Sequence, residues 1–600
     1  IADDATFAMY VPDQAALRRF AEAMRYYGEL MDACGQKTNW DKFVILQHPS
    51  AIEFPQCDIA EHLDLFPADA ATCERPRVTR GAIKFNGVGV GFQPAARAEI
   101  TMEAVEAVVA RRRVVQQFIP ALGAQEAFIY ARLCYGSGAI LNHQARGSEP
   151  AVTETAFAVA QVSQVRLLRA IAKIPSSDLP DEGTPDTPDD RCIAASMCLP
   201  FGCGGVGFTD PSLTAGAAHA AKVVDSLPVL RRIPAVSRLI PAPSLWASSG
   251  ISTLVAAASA ITRIVGLPSF MAGPPQHKEA WQYLRARLLS EDGTSIYLDV
   301  LEELSGRHLQ RVLQQAVYQD IHQTLLLDLS LPPATRARLR QCARPGSGAW
   351  LSISNICPVT SLTDEQFIWS LQQRLGAPRG AITLQTRCTN ETCIYNKQRV
   401  PCVPGIEVGP ELRKPRYITA REHFDAVHWE HCPGKGLNIR RHNEIMRAIV
   451  IMVRQFGHTA EQLELAIGVN SEGKTQFVDA RALNWTSASG PLYLDASVAS
   501  ATHHLTLARA ARVDDWVTLK REAAKTARKG PLSETHGAEF MPVVVDTHAA
   551  FGPALVGLIN RGFSEKSDRA GDSTSAKWKV AYERASSMAA ISAAVMRWTY

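Results

Sequence analysis

Apolar residues recur at helical spacing along most of the chain. Residues 14–34 form the first such run, and Gly35 is predicted to end it; its repeating apolar positions are Leu17, Phe20, Ala21, Met24 and Leu30. Helical patterns also cover residues 101–174 and most of 191–380. Residues 82–91 instead interleave β-branched residues with glycines, which predicts a short strand or hairpin. The pattern therefore predicts a mostly helical protein with small strand regions.

The last quarter of the chain has a different pattern. An amphipathic helix is predicted to begin at Asn443 and to end before Gly457, because apolar residues share one of its faces. Strand patterns follow at residues 475–483, 491–498 and 540–545, with a helical pattern at 513–529 before the last of them. A helix followed by strands and a crossover helix is typical of a small α/β domain.

Two segments stand out by composition. Residues 175–190 contain four prolines and six acidic residues, which predicts a solvated loop or linker. Residues 245–262 carry no formal charge but are rich in serine, alanine and glycine. A buried helix is favoured there over a membrane span, so no membrane association is expected.

The overall charge is nearly balanced. There are 63 Lys and Arg against 59 Asp and Glu in 600 residues, so a nucleic-acid surface has to come from local clusters of basic residues. The 13 cysteines are odd in number and no secretory segment opens the chain. This favours a reducing, intracellular compartment and metal ligation over disulfides. Because the chain opens with Ile1 and not with methionine, we expect it to be part of a longer protein.

Asp3 and Asp4 form an adjacent acidic pair before a strand-like run at residues 5–10. At the tip of a hairpin such a pair can hold Mg²⁺ or Mn²⁺ against a triphosphate, because hard cations prefer carboxylate oxygens and keep phosphates as further ligands. An aspartate pair at the start of a chain is more often a solvated turn. The order of the neighbouring motifs favours the functional interpretation.

Several further motifs follow the aspartate pair in a specific order. They are GQKTNWDK at 35–42, FNGV at 85–88, LPFGCGGVG at 199–207, GAWL at 348–351 and LTDEQF at 362–367. Together they resemble the C-terminal part of non-LTR retrotransposon reverse transcriptases that carry a restriction-like endonuclease. The resemblance covers nearly the whole chain up to about residue 560.

The resemblance implies a multidomain, mostly α fold with α+β parts. The implied regions are the end of a polymerase palm at 1–95, a thumb-like helical region at 96–174, an acidic proline-rich loop at 175–190, a helical linker region at 191–380, a zinc-knuckle region at 381–439, a small α/β PD-(D/E)XK-like nuclease domain at 440–565 and a C-terminal helix or tail at 566–600.

The family's activity is target-primed reverse transcription, in which nicked DNA primes DNA synthesis on element RNA. The resemblance therefore implies DNA and RNA as partners, a nuclear site of action, and Asp3 and Asp4 as polymerase Mg²⁺ ligands beside a hairpin at Gly87. The family also requires fingers and a third palm carboxylate, which an upstream part of the same polyprotein would supply. This chain alone is not expected to polymerise.

Arg111, Arg112 and Arg113 lie on the helix that the resemblance assigns to the thumb, where they are candidates for contact with a primer–template duplex. The alternative is a solvated helix face. Consecutive residues differ by about 100° around a helix, so not all three side chains can face one groove.

Cysteines and histidines crowd residues 388–432. Cys388 and Cys393 form one pair, and His428 and Cys432 form a second pair four residues apart, so that the four can close a tetrahedral Zn²⁺ site. The resemblance places a CCHC knuckle here. Cys402 and His431 are credible substitutes as ligands, and buried free thiols are the alternative to a metal site.

Arg440, Arg441 and His442 precede the amphipathic helix and are candidates for phosphate binding, because a helix N-terminus favours anions. A plain helix with Asn443 as N-cap explains the same residues without a function. An Arg-His-Asn run follows the knuckle in the family, which favours the functional interpretation.

Asp479 and Asp495 lie on neighbouring predicted strands, and Asp495 points away from the apolar face of its strand. Two carboxylates with Lys525 or Lys529 from the next helix are the groups that a metal-dependent phosphodiesterase requires, and Glu444 is a further candidate ligand. This set resembles the Asp, Asp, Lys pattern of restriction-like nucleases.

Two departures from the family pattern leave rival interpretations open. Val478 stands where the family usually has proline, and Gly530 where it often has tyrosine. One rival is a catalytically decayed remnant that only binds nucleic acid. The other is an unrelated helical scaffold.

Overall fold

The structure is a computed structural model of the 600-residue chain. It describes residues 13–34, 44–47, 65, 77–85, 88–137, 141–174, 188–272, 278–290, 296–304, 306, 308–352, 358–377, 437–485, 490–503 and 506–598.

Most of the described residues are helical. The α-helices are, in chain order, α1 (Gln14–Ala33), α2 (Pro94–Leu122), α3 (Ala124–Cys134), α4 (Asn142–Gly147), α5 (Pro150–Ile171), α6 (Pro188–Cys198), α7 (Pro211–Leu230), α8 (Pro234–Ser237), α9 (Ser252–Val265), α10 (Pro268–Ala272), α11 (Lys278–Leu288), α12 (Leu309–Leu327), α13 (Pro333–Cys342), α14 (Asp364–Leu375), α15 (Leu437–Gln455), α16 (Leu507–Ala510), α17 (Trp516–Glu534), α18 (Pro553–Ala570) and α19 (Thr574–Arg597).

The strands form small sheets. They are β1 (Val44–Leu46), β2 (Arg77–Thr79), β3 (Ala82–Phe85), β4 (Val88–Gly91), β5 (Thr459–Val469), β6 (Thr475–Leu483), β7 (Leu492–Ala499) and β8 (Glu539–Asp546). A mostly helical fold with small sheets, as predicted, is confirmed at this coarse level.

The chain divides into two compact units, of which the first comprises residues 1–111, 137–163 and 210–317. Its helix α1 begins at the N-cap Asp13, whose side chain accepts a hydrogen bond from the Ala16 amide at 2.7 Å. The strands β3 and β4 pair antiparallel as the predicted hairpin. The uncharged segment at 245–262 contributes most of α9, whose side chains pack with Trp246 in a buried apolar cluster. No described helix is long and apolar enough to cross a membrane.

The second unit comprises residues 112–136, 164–209 and 318–600. Its main core joins α3, α14, α15, α18 and α19 to one face of a four-stranded sheet. The strand order is β5-β6-β7-β8, with β5, β6 and β7 antiparallel and β8 parallel to β7. The helix α17 is the crossover between the two parallel strands.

The predicted strands and crossover helix of this sheet are present, but two features differ from the prediction. The edge strand β5 was not predicted; seven of its eleven residues are exposed, and its pairing with β6 is interrupted by register shifts. Helix α15 begins at Leu437, six residues before the predicted start. Its predicted end is correct, since Gly457 follows the last turn at a φ of +96°.

Candidate active site on the central strands of the sheet

Asp479 and Asp495 lie side by side on the paired strands β6 and β7. The antiparallel register places Ala480 opposite Leu494, which brings Asp479 opposite Asp495 at the next position. The amide of Ala496 donates a hydrogen bond of 2.7 Å to Oδ2 of Asp479. Residues opposite each other in an antiparallel pair project to the same face, so the two carboxyl groups are neighbours.

Both lysines named by the sequence reach Asp495 from helix α17. Oδ2 of Asp495 lies 2.5 Å from Nζ of Lys525 and 2.9 Å from Nζ of Lys529. Because the lysines are four residues apart, they share one face of the helix. Lys525 also donates to the carbonyl of Ala496 at 2.7 Å, and Lys529 donates to the carbonyl of Phe477. All three charged side chains are buried, with Asp495 only 3% exposed.

His442 completes the cluster from helix α15. Its Nε2 lies 3.2 Å from Oδ1 of Asp479. The prediction that His442 precedes the helix was wrong, because the helix begins earlier and His442 lies in its second turn, whereas its assignment to nucleic acid stays a prediction. His442 lies on the same helix face as the buried residues Ile445 and Ile449, and this spacing is a signal in the sequence that could have placed it against the sheet.

The pKa values of the two carboxyl groups in the cluster are shifted in opposite directions. Burial acts to raise the pKa of Asp479, but hydrogen bonds and the charge of His442 outweigh it and hold this pKa at about 2. Burial raises the pKa of Asp495, helped by the charge of Asp479 and opposed by both lysines. Burial also lowers the pKa of Lys525. Two adjacent carboxyl groups with opposed pKa shifts, paired with buried lysines, form an arrangement that is enriched at functional sites.

Glu444, predicted as a further ligand, lies elsewhere. Its Oε2 is 2.6 Å from Nη1 of Arg597 on α19. Residues two apart on a helix project about 200° apart, so Glu444 and His442 cannot both face Asp479. The ligand assignment for Glu444 is therefore wrong, and His442 lies where that ligand was expected.

Of the two arginines predicted as phosphate ligands in α15, one is buried and the other is exposed. Arg441 is 5% exposed and its Nη2 donates to Oδ1 of Asn438 at 2.9 Å, so its assignment to nucleic acid is wrong. Arg440 is exposed, with its guanidinium 5.8 Å from the ring centre of Trp598.

The arginines of α2 alternate between solvent and core. Arg111 and Arg113 are exposed. Arg112 is 1% exposed, and its Nε donates to the carbonyl of Tyr135 at 2.8 Å. Burial lowers the pKa of Arg112 to about 10. Arg112 therefore serves the fold, and its assignment to nucleic acid was wrong.

The remaining predicted ligands lie outside the described residues. They are the polymerase pair Asp3 and Asp4 and the zinc candidates Cys388, Cys393, Cys402, His428, His431 and Cys432. Within the described ranges there is no group of three or more His, Cys, Asp and Glu side chains placed to hold a metal ion.

The cluster nevertheless fits a hard divalent cation by its donor chemistry. Mg²⁺ is usually bound by one or two protein carboxylates, with water and substrate phosphate as the other ligands. Asp479 and Asp495 supply two adjacent carboxyl groups, and the side chain of Asp479 is 19% exposed. The two lysines meet at a single oxygen of Asp495, its Oδ2.

No protein-family model matches the chain. Comparison with curated proteins gives no match either. The resemblance to retrotransposon reverse transcriptases therefore stays a prediction that rests on the motifs alone.

Proposed function

We propose that the chain is a metal-dependent endonuclease that nicks DNA, and that it acts as part of a non-LTR retrotransposon reverse transcriptase in target-primed reverse transcription. The observation that carries the nuclease proposal is the cluster of Asp479, Asp495, Lys525 and Lys529 on the central strands β6 and β7 and helix α17, with ion pairs of 2.5 and 2.9 Å. The motif resemblance supports the wider proposal.

Each residue of the cluster has a role in this proposal. Asp479 and Asp495 would hold Mg²⁺ or Mn²⁺, which supplies activation of water and neutralises charge on the phosphate. Lys525 and Lys529 bring positive charge next to the carboxylates, where a phosphate oxygen gains charge in the transition state. His442 positions Asp479 through its contact of 3.2 Å and thereby fixes the orientation of that carboxylate.

The second candidate function is a catalytically decayed protein that only binds nucleic acid. The observation that favours it is that Asp495 is buried, at 3% exposed, and is already paired with two lysines. A buried ion-pair cluster of this kind also occurs as a purely structural feature. Activity measurements separate the two functions.

The test is nicking of a supercoiled plasmid by the purified full chain with Mg²⁺ or Mn²⁺. Asp479→Asn and Asp495→Ala are expected to abolish nicking, while DNA binding measured by mobility shift persists, because binding rests on phosphate contacts elsewhere. Asp479→Asn is the safer variant for folding, since the amide keeps an oxygen that can accept the hydrogen bond of the Ala496 amide, 2.7 Å long in the native chain.

The control variant is Glu461→Gln on strand β5. Glu461 forms an ion pair of 2.5 Å with Arg481 and its side chain is 48% exposed, so its loss is expected to leave nicking unchanged. Equal nicking by the native chain and Asp479→Asn would refute the catalytic role. Absence of nicking by the well-folded native chain would overturn the nuclease proposal in favour of the decayed protein.

A further inference from the structure

Two aromatic rings stand exposed on the N-terminal half of helix α19. Trp578 is 72% exposed and Tyr582 is 60% exposed. Their ring planes are 8° from parallel and their centres are 6.2 Å apart. The two residues are four apart and therefore lie on one face of the helix. Large aromatic side chains normally bury most of their surface, so this pair is unusual for a face that only contacts water.

The fold of α19 does not depend on these rings. The N-terminal half of the helix contacts the core through Val580, which is 7% exposed. The C-terminal half carries the main anchors, including Ile591 and Val595, both fully buried. The exposed residues Ser575 and Ala585, three positions before Trp578 and three after Tyr582, are small.

The charge around the rings is favourable for an anion. Lys577 and Lys579 flank Trp578 and are exposed. Lys577 lies 2.8 Å from Oδ1 of Asp572, and such a solvated pair contributes little and exchanges readily. Glu583, next to Tyr582, is compensated by Lys566 at 2.5 Å. The surface formed by Trp578, Tyr582, Lys577 and Lys579, called here the aromatic–lysine surface, is therefore net positive.

We propose that the aromatic–lysine surface binds single-stranded nucleic acid. Bases would stack on the parallel rings of Trp578 and Tyr582, and the two lysines would contact the adjoining phosphates. Unpaired strands present base faces for stacking, whereas those faces are covered inside a duplex. This surface shares no residue with the cluster of Asp479, Asp495, Lys525 and Lys529, and the proposal does not depend on nuclease activity.

The experiment measures fluorescence anisotropy of labelled oligothymidylate, oligouridylate and a duplex of equal length with the full chain. The double variant Trp578→Ala/Tyr582→Ala is expected to bind the single strands at least about thirtyfold more weakly than the native chain, because the stacking of two bases is lost. Trp578→Phe/Tyr582→Phe keeps the ring faces and should retain most of the affinity. The two single strands distinguish DNA from RNA as the preferred ligand.

The matched control is Tyr26→Ala on α1, which removes another exposed aromatic ring, 68% exposed. It should leave binding unchanged, and circular dichroism should show that all variants stay folded. Native affinity of the alanine double variant for single strands would overturn the proposal. Equal losses for duplex and single strands would overturn it too. Self-association of the native chain that the double variant loses, with no change in nucleic-acid binding, would instead assign the surface to a second copy of the chain.

Discussion

Glu522 provides a pH-dependent test of the packing around the sheet. It lies on α17 and is 8% exposed, and its Oε1 accepts a hydrogen bond of 3.1 Å from the amide of Ala554 in the first turn of α18. Gly552 precedes that helix, and its lack of a side chain leaves room for the carboxyl group. Burial raises the pKa of Glu522 to about 7, although the Ala554 amide acts to lower it.

This pKa sets the sign and the size of the effect. The folded-state pKa lies above the ordinary value of 4.5, so the folded chain binds more protons than the unfolded chain between these values. The stability that the protonated Glu522 contributes is therefore complete below about pH 4.5 and is lost as the pH rises through about 7. At about 1.4 kcal/mol for each pH unit of this interval, the loss reaches roughly 3 kcal/mol.

Glu522→Gln keeps the acceptor for Ala554 and removes the charge. We expect the variant to raise the free energy of unfolding by roughly 1–3 kcal/mol at pH 8 and to leave it nearly unchanged at pH 4.5. Urea denaturation of both proteins at each pH measures the difference. The control Glu534→Gln, at an exposed position of the same helix, should show no such pH dependence. A stability difference between Glu522→Gln and the native chain that is the same at both pH values would refute the reasoning.

Three further predictions concern other residues of the chain. Arg374 is 3% exposed and donates to four backbone carbonyls. Arg374→Met should therefore lower the free energy of unfolding, measured by urea denaturation, by at least about 4 kcal/mol. A loss below about 1 kcal/mol would contradict this. Alanine at Arg111 and Arg113 should weaken DNA binding and flatten its salt dependence in titrations, whereas Arg112→Met should lower stability and leave the salt slope unchanged. Cys432→Ser should remove zinc measured by elemental analysis, and an unchanged metal content would exclude Cys432 as a ligand.

The strands and helices with strong periodicity were predictable from sequence alone. Strand β6 has the predicted bounds, and α1 differs from its prediction by a single residue at its end. The edge strand β5 was not predicted, although Leu463, Leu465, Ile467 and Val469 occupy alternate positions in its second half, which is a strand signal. The early start of α15 was not predicted, because polar residues predominate in its first turns and the conformation there depends on packing against the rest of the unit.

The residues of the site were largely predictable from the sequence, but their burial and the packing of the helices around them were not. Alternation correctly separated Asp495 from Leu494, but it gave no sign that α17 covers the face of Asp495 and buries this residue. Both lysines reach Asp495, where the sequence left a choice between Lys525 and Lys529. The pairing of His442 with Asp479 depends on how α15 packs on the sheet, which the sequence of neither element determines alone.

The most direct test of the nuclease proposal is binding of Mn²⁺ to the full chain, followed by electron paramagnetic resonance. The native chain is expected to bind Mn²⁺ at a site that Asp479→Asn and Asp495→Asn each lose, because the two carboxylates would share the ion. Metal bound elsewhere on the chain is unaffected by either substitution and cancels in the comparison. Mn²⁺ binding that is identical in the native chain and in both variants would contradict the proposal.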